Sequence, residues 1–113
     1  MHELSLGRDI VAALKTAAAG HGYRRIHRAQ VGVGSLRDMD GATLRACLDM
    51  VAPGSIAEGA ELDIAERLAA AHCYNCDTEV LVRRRADVCP CCGSFRLQVK
   101  TGHEVVVLAC EGD

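Results

Sequence analysis

The stretch CYNCDTEVLVRRRADVCPCCG, residues 73–93, contains five of the seven cysteines of this chain. Two pairs have the spacing Cys-x-x-Cys, namely Cys73 with Cys76 and Cys89 with Cys92. A two-residue spacer lets one turn offer two sulfurs to the same ion, and zinc prefers four such ligands at tetrahedral angles. The spacing therefore predicts a zinc site whose ligands are these four cysteines.

Other interpretations compete with zinc: a pair of disulfides, a redox-active Cys-x-x-Cys and a rubredoxin-like iron site. Zinc is favoured because the two pairs occur together and because we expect the chain in the reducing cytosol, where disulfides are rare. Cys91 lies inside the second pair and is expected to be an outward-pointing spare thiol. Cys47 and Cys110 stand in apolar patterns, which predicts two small buried core residues.

A site closed by four thiolates has no position for water or substrate, so the predicted zinc is structural. It would stabilise a module too small to fold alone, and chelation should unfold that module. The loop between the two pairs carries Arg83, Arg84 and Arg85, which form either a solvated tip or a docking surface for an acidic partner. His72 and His103 flank the module and are expected to be simple surface residues.

The rest of the chain is small and aliphatic, with 113 residues, 50% hydrophobic residues and only 3% aromatic residues. The formal net charge of -2 and a pI of about 6.2 argue against nucleic acid or an anionic membrane as a partner. No secretion signal is visible, and no apolar run approaches the roughly 20 residues needed to span a bilayer. We therefore expect a cytoplasmic protein.

Apolar residues at helical spacing predict two helices. The defining positions are Leu6, Ile10 and Leu14 in the first helix, and Leu44, Leu48 and Val51 in the second. Gly20 and Gly22 are expected to end the first helix. The second is expected to begin at about Gly41 and to end at Pro53 and Gly54.

Alternating apolar residues predict strands in residues 24–34 and 59–68, within 80–82, around 95–99, and in 103–110. The last of these is expected to be well buried and to return to the first sheet. The chain is thus predicted to be an α+β protein: a small mixed sheet of about three strands with two helices, plus an inserted zinc-ribbon module.

The amino terminus, MHEL, places a histidine and a carboxylate beside a free amine. His2 is too bulky a second residue for the usual removal of Met1, so we expect the amine of Met1 to persist. The amine, the next backbone nitrogen and the His2 imidazole can chelate one ion, and Glu3 can add its amide or carboxylate. Such nitrogen-rich sites suit Ni(II) and Cu(II) better than Zn(II). The alternative is an exposed histidine followed by a favourable charge at the start of a helix.

These pieces, taken together and in this order, resemble the HypA/HybF family of hydrogenase nickel-incorporation proteins. The resemblance rests on Met-His-Glu at the start, an amphipathic helix, the strand AQVGVG, the stretch EGAELDI and two cysteine pairs ending in Cys-Pro-x-Cys-Gly. It runs over nearly the whole chain, and the initial Met-His-Glu is its most specific mark. The cysteine pairs alone are shared with many zinc ribbons.

The resemblance implies a nickel metallochaperone, not an enzyme, that helps insert Ni(II) into the large subunit of [NiFe]-hydrogenase together with the GTPase HypB. His2 would be the essential nickel ligand, with the backbone at Met1, His2 and Glu3 completing much of the site. The family's zinc ligands match the four cysteines already singled out. Residues 1–70 with 101–113 would then form the nickel-binding α/β domain and residues 71–100 the zinc-binding ribbon. A homodimer is compatible with this resemblance.

Asp40 has two interpretations. Some members of the family place a carboxylate near this position close to the nickel. The favoured alternative is an N-cap of the second helix, because that role needs only the local sequence.

Two rival functions belong to other classes of protein. A zinc-ribbon adaptor for protein or nucleic acid would explain the cysteines, but the interleaved basic and aromatic face that nucleic acid needs is nearly absent. An enzyme with a cysteine nucleophile or zinc-bound water ranks last, because no open ligand position and no paired base are visible.

Overall fold

The computed structural model describes residues 2–113, which form two α-helices, a short 3-10 helix and six strands. The helices are α1, His2–His21, and α2, Gly41–Val51, and the 3-10 helix is Ser35–Arg37. The strands are β1 Ile26–Gly34, β2 Glu61–Arg67, β3 Ala69–Cys73, β4 Thr78–Val82, β5 Leu97–Val99 and β6 Val105–Gly112. They form two three-stranded sheets, ordered β2-β1-β6 and β4-β3-β5.

The chain divides into two compact units. The α/β unit comprises the chain up to Gly32 together with Met39–Ala65 and Val105–Asp113. The cysteine unit comprises Val33–Asp38 and Glu66–Glu104.

Helix α1 packs against α2 and β6 in the α/β unit. The apolar stripe predicted from the sequence is the face that is buried, since Leu6, Ile10 and Leu14 are each almost fully enclosed. The helix continues through Gly20 and ends at His21, and the next residue, Gly22, has a φ of +73°, which favours glycine. Strand β1 supplies further core residues, among them Ile26 and Val31.

In the cysteine unit, β3 pairs antiparallel with both β4 and β5. The buried residues of this unit have small side chains, none larger than valine: Ala69, Ala71, Cys73, Val80, Val82 and Cys89. Such a core removes little apolar surface from water, which leaves the unit dependent on another source of stability.

The predicted α+β class, with two helices and a cysteine-rich insert, is confirmed. Strand β3 was not predicted, because its sequence AAAHC is mostly alanine, which has a low strand propensity. The prediction of a well-buried last strand is wrong in one respect. Strand β6 joins the first sheet as expected, but it lies at the sheet edge and its residues are only partly buried or exposed. Cys47 and Cys110 are likewise half-buried and not core residues.

Candidate metal centres

Two turns bring the four predicted cysteines together in the cysteine unit. Cys73 ends β3 and Cys76 follows in the tight turn that leads into β4. The second turn is closed by the Gly93 N–H, which donates to the carbonyl of Cys89 at 2.8 Å, and Gly93 has φ +78°. The four Sγ atoms all lie within 4.8 Å of one another.

The distances between the sulfurs distinguish a metal site from disulfide bonds. Cys73 Sγ lies 3.6 Å from Cys92 Sγ, and Cys76 Sγ lies 3.7 Å from Cys89 Sγ. A tetrahedral ion with Zn–S bonds of about 2.3 Å separates its sulfurs by about 3.8 Å. A disulfide requires about 2.05 Å. The cluster therefore fits a tetrahedral ion such as zinc, and its cysteines are free thiols.

Hydrogen bonds favour the thiolate form at two of these sulfurs. The side-chain amide of Asn75 and the N–H of Ser94 lower the pKa of Cys92 to about 6, against an opposing effect of burial. Burial would raise the pKa of Cys89, but the N–H groups of Cys92 and Cys91 outweigh it and the pKa is lowered. Because a metal binds the thiolate, these donors prepare the cluster for an ion.

Cys76 behaves differently. A hydrogen bond involving Thr78 lowers its pKa, but burial and the neighbouring sulfurs raise it more, to about 12. Crowded sulfurs cannot all ionise without a cation, because each negative charge disfavours the next. A bound divalent ion would remove this conflict.

Cys91 stands apart from the group that could hold a metal, and its side chain is exposed. Its contribution is its backbone N–H, which points at Cys89 Sγ from 3.4 Å. Asn75 was not singled out in the sequence, although its amide lies 3.4 Å from Cys92 Sγ. Its position inside the Cys-x-x-Cys spacer was the feature of the sequence that could have indicated a hydrogen bond to a cysteine sulfur.

At the other candidate site, Met1 lies outside the described residues. His2 is the first residue of α1, and its side chain is 70% exposed. Glu3 is buried, and its Oε2 lies 3.2 Å from His2 Nε2. The same oxygen accepts the backbone N–H of Asp40 at 3.2 Å. This hydrogen bond, more than any other interaction, holds the pKa of Glu3 below its ordinary value.

Asp40 occupies the N-cap position of α2, as the sequence favoured, but its carboxylate bonds no helix N–H group. Its Oδ2 instead accepts the Thr43 hydroxyl at 2.6 Å. The carboxylate of Glu3 thus contacts both the His2 imidazole and the backbone N–H of Asp40. Asp40 lies 37 residues further along the chain than Glu3.

The two flanking histidines differ. His103 is exposed, and its Nε2 lies 2.9 Å from the Arg85 guanidinium. His72 is half-buried and lies between Glu79, at 2.7 Å, and Asp77, at 3.0 Å. The expectation of a simple surface residue is therefore wrong for His72.

Within residues 2–113, the four cysteines are the only group of three or more His, Cys, Asp or Glu side chains arranged to hold a metal ion. None of the helices in this range is both long and apolar enough to cross a membrane.

An α+β fold with a four-cysteine cluster of this geometry defines a small metal-binding protein. Residues 1–112 match the family described as "Hydrogenase/urease nickel incorporation, metallochaperone, hypA". The chain belongs to this HypA family of nickel-incorporation metallochaperones, as the resemblance predicted.

Similar proteins support this assignment. The chain is 41% identical over 107 residues to the hydrogenase maturation factor HypA of Azotobacter chroococcum mcd 1, with 95% of each chain covered. It is 36% identical over 105 residues to the factor of the same name from Rhodobacter capsulatus, with 93% of each chain covered. The solution structure of the Ni metallochaperone HypA from Helicobacter pylori has the same fold, with a TM-score of 0.74 at 23% identity, over 97% of this chain and 96% of that one.

Proposed function

We propose that this chain binds Ni(II) at its amino terminus and helps deliver it to the large subunit of [NiFe]-hydrogenase during maturation. Membership of a nickel-incorporation family supports the cargo. The observation that carries the site is the arrangement of His2, an exposed imidazole on the first turn of α1 that contacts a buried carboxylate. The amine of Met1 and the backbone nitrogens of His2 and Glu3 are the proposed further ligands.

The contact between His2 and Glu3 has a chemical consequence. If His2 Nε2 carries the proton that faces Glu3 Oε2, the lone pair resides on Nδ1, which is the ring nitrogen nearer the backbone. A metal held by Nδ1 and the backbone nitrogens would form the nitrogen-rich site that Ni(II) prefers. The carboxylate of Glu3 would then orient the ligand from outside the coordination shell.

In this proposal Asp40 acts indirectly: its backbone N–H donates to the Glu3 carboxylate and holds that side chain in place. Direct binding of nickel by the Asp40 carboxylate is the weaker alternative, because one of its oxygens is engaged by Thr43.

We assign the second metal, zinc, to Cys73, Cys76, Cys89 and Cys92. Zinc bound there would be structural, since four thiolates leave no open position. The ion would offset the mutual repulsion of the thiolates and hold the two turns together. In the proposal residues 71–100 form the zinc-binding ribbon, and residues 1–70 with 101–113 form the nickel-binding domain. The compact cysteine unit is wider than this ribbon, since it comprises Val33–Asp38 and Glu66–Glu104.

The proposed setting follows the family. We place the chain in the cytoplasm as a carrier without catalytic activity, acting with the GTPase HypB and the hydrogenase large subunit. Nucleic acid and membranes are not among its proposed partners. A homodimer is compatible with the proposal, which does not depend on it.

The test is a titration of Ni(II) into zinc-loaded protein with a native, untagged amino terminus. Two variants are compared with it: His2→Ala, and a chain with one extra residue before Met1. Both should lose nickel binding while zinc content stays unchanged. His27→Ala is the matched control, because His27 is an exposed histidine of the same unit that contacts Asp113 instead of Glu3.

Undiminished nickel binding in both variants would remove the amino-terminal site. The zinc-ribbon adaptor would then be the better description of the function.

A further inference from the structure

The sheet β4-β3-β5 has one face in the core of the cysteine unit and one face turned away from it. The register pairs Ala71 with Val80 in the core, so that Ala70 and Leu81, which are also paired, lie on the outer face. Lys100 continues the same row, because its N–H donates to the Ala70 carbonyl at 2.8 Å. This row runs from β4 across β3 to the residue that directly follows β5.

The outer face contains a groove of about 680 Å³ lined only by residues of the cysteine unit. Its floor exposes two large aliphatic side chains, Leu81 at 60% and Leu68 at 41%. These two exposed leucines and the small Ala70, which lines the same groove, form an apolar surface of the kind that marks interaction sites. The groove falls within the roughly 300–1,000 Å³ typical of ligand pockets.

The rim of the groove is basic although the chain as a whole is acidic. Arg67, Arg85 and Lys100 line it together with His103, and Glu104 is the one carboxylate among the lining residues. The formal net charge of the whole chain is -2. The groove therefore concentrates positive charge on a protein whose average charge has the opposite sign.

The ion pairs at the rim leave one cation available. Glu104 lies 3.7 Å from Arg67, and Glu79 lies 3.2 Å from Lys100. In the described part of the chain Arg85 has no carboxylate partner, and its guanidinium instead lies 2.9 Å from His103 Nε2. A planar guanidinium in this position is suited to bind a carboxylate through two parallel hydrogen bonds.

We propose that this groove binds a segment of a partner protein that carries aliphatic side chains flanked by carboxylates. The leucines of the segment would cover Leu68 and Leu81, and a carboxylate beside them would pair with Arg85. A peptide is favoured over nucleic acid because the lining contains no Phe, Tyr or Trp on which a base could stack. The inference does not depend on the nickel site.

The test uses zinc-loaded protein and a short fluorescein-labelled peptide in which leucine and glutamate alternate. Two matched peptides carry lysine for glutamate or serine for leucine. The first peptide should bind saturably, more weakly as salt rises, and should shift the amide signals of Ala70, Leu81 and Lys100. Each matched peptide should bind about ten-fold more weakly.

Protein variants make the test specific to the groove. Arg85→Glu and Leu81→Ser should each weaken binding of the acidic peptide about ten-fold. Arg96→Glu and Phe95→Ser are the matched controls, since both residues are exposed in the same unit but do not line the groove. Zinc content and the remaining amide signals should be unchanged in all four variants.

Three results would overturn the proposal. One is equal binding of the acidic and the lysine peptides, and another is full binding by both groove variants. The third is stronger binding of single-stranded DNA or anionic lipid vesicles than of the acidic peptide at the same amide signals. Nickel binding by the groove variants should stay normal, which separates this test from that of the proposed function.

Discussion

The cysteine cluster and the amino-terminal turn present their donor atoms in opposite ways. The cluster collects four sulfurs from two turns within 4.8 Å, and two of these cysteines are buried. The amino-terminal turn offers one exposed imidazole, with a buried carboxylate behind it. An ion enclosed by four thiolates is retained, whereas an ion at an exposed chain end can exchange its ligands. This difference would suit the proposed function, in which the chain keeps zinc and passes nickel on.

The two units also differ in what stabilises them. The α/β unit buries large aliphatic side chains such as Ile10, Leu14 and Leu44. The cysteine unit buries only alanine, valine and cysteine among its core residues. Burial of apolar surface therefore stabilises the first unit, whereas the second would depend on the zinc proposed for its cysteines.

Cys73→Ser should abolish stoichiometric zinc binding and unfold the strands of the cysteine unit. Structural zinc contributes roughly 10–16 kcal/mol of apparent binding free energy in small zinc modules, so the loss should exceed any other single change. Metal content measured by atomic emission and amide signals of β3–β5 provide the readout. Cys91→Ser is the control and should retain one zinc. Tight binding of one zinc by Cys73→Ser would contradict the four-thiolate assignment.

Ile10→Ala should have the converse effect and destabilise the α/β unit while zinc stays bound. Removing a fully buried isoleucine side chain costs about 2–5 kcal/mol, because the lost apolar contacts leave a cavity. Chemical denaturation followed through amide signals of α1 would measure this change. Met50→Ala, at an exposed position on α2, should stay within about 0.5 kcal/mol of the wild type. Zinc loss from Ile10→Ala would show that the contrast between the units is wrong.

Glu3→Gln should reduce stability in a pH-dependent manner. The Asp40 N–H lowers the pKa of Glu3 from its ordinary value of 4.5, so the ionised carboxylate stabilises the folded state. This stabilisation is fully present above pH 4.5 and is lost as the pH falls through the lower pKa of the folded state. The difference in Tm between wild type and variant should therefore be largest near neutral pH. It should shrink towards zero as the pH falls below 4.5.

Glu111→Gln serves as the control for this titration, because Glu111 is an exposed carboxylate on β6. In a separate measurement, Glu3→Gln should weaken nickel binding by about 10-fold, as expected for a residue that orients a metal-bound histidine. A Tm difference that stays constant from pH 7 to pH 3 would show that the Asp40 hydrogen bond does not favour the ionised carboxylate.

Gly20→Ala should produce the smallest change, and in the stabilising direction. The added methyl group meets no atom within 4 Å, and alanine favours a helix over glycine by roughly 0.5–1 kcal/mol. Gly22→Ala should instead destabilise, because its φ of +73° is costly for any residue with a Cβ. Thermal unfolding of both variants would compare these effects, and metal binding should be unchanged in each. Destabilisation by Gly20→Ala would contradict the helix boundary placed at His21.

Much of the fold could be predicted because its elements have strong local patterns. The stripe of Leu6, Ile10 and Leu14 predicts α1, and alternation predicts β1 through Ala29 and Val31. Strand β3 could not be predicted this way, since its alanines become strand residues only by pairing with β4 and β5. The edge position of β6 could not be predicted either, because the order of strands in a sheet depends on the path of the whole chain and not on the local sequence.

The candidate sites divide in the same way. The Cys-x-x-Cys spacing by itself determined which four cysteines could share one ion, because each pair lies within a single turn, and the order of motifs determined the family. Only the tertiary structure decided that Glu3 is buried, that it accepts the N–H of Asp40, and that a basic groove lies over Leu81. Local spacing depends on bonded geometry within a few residues, whereas these contacts join residues far apart in the chain and exist only once the core is packed.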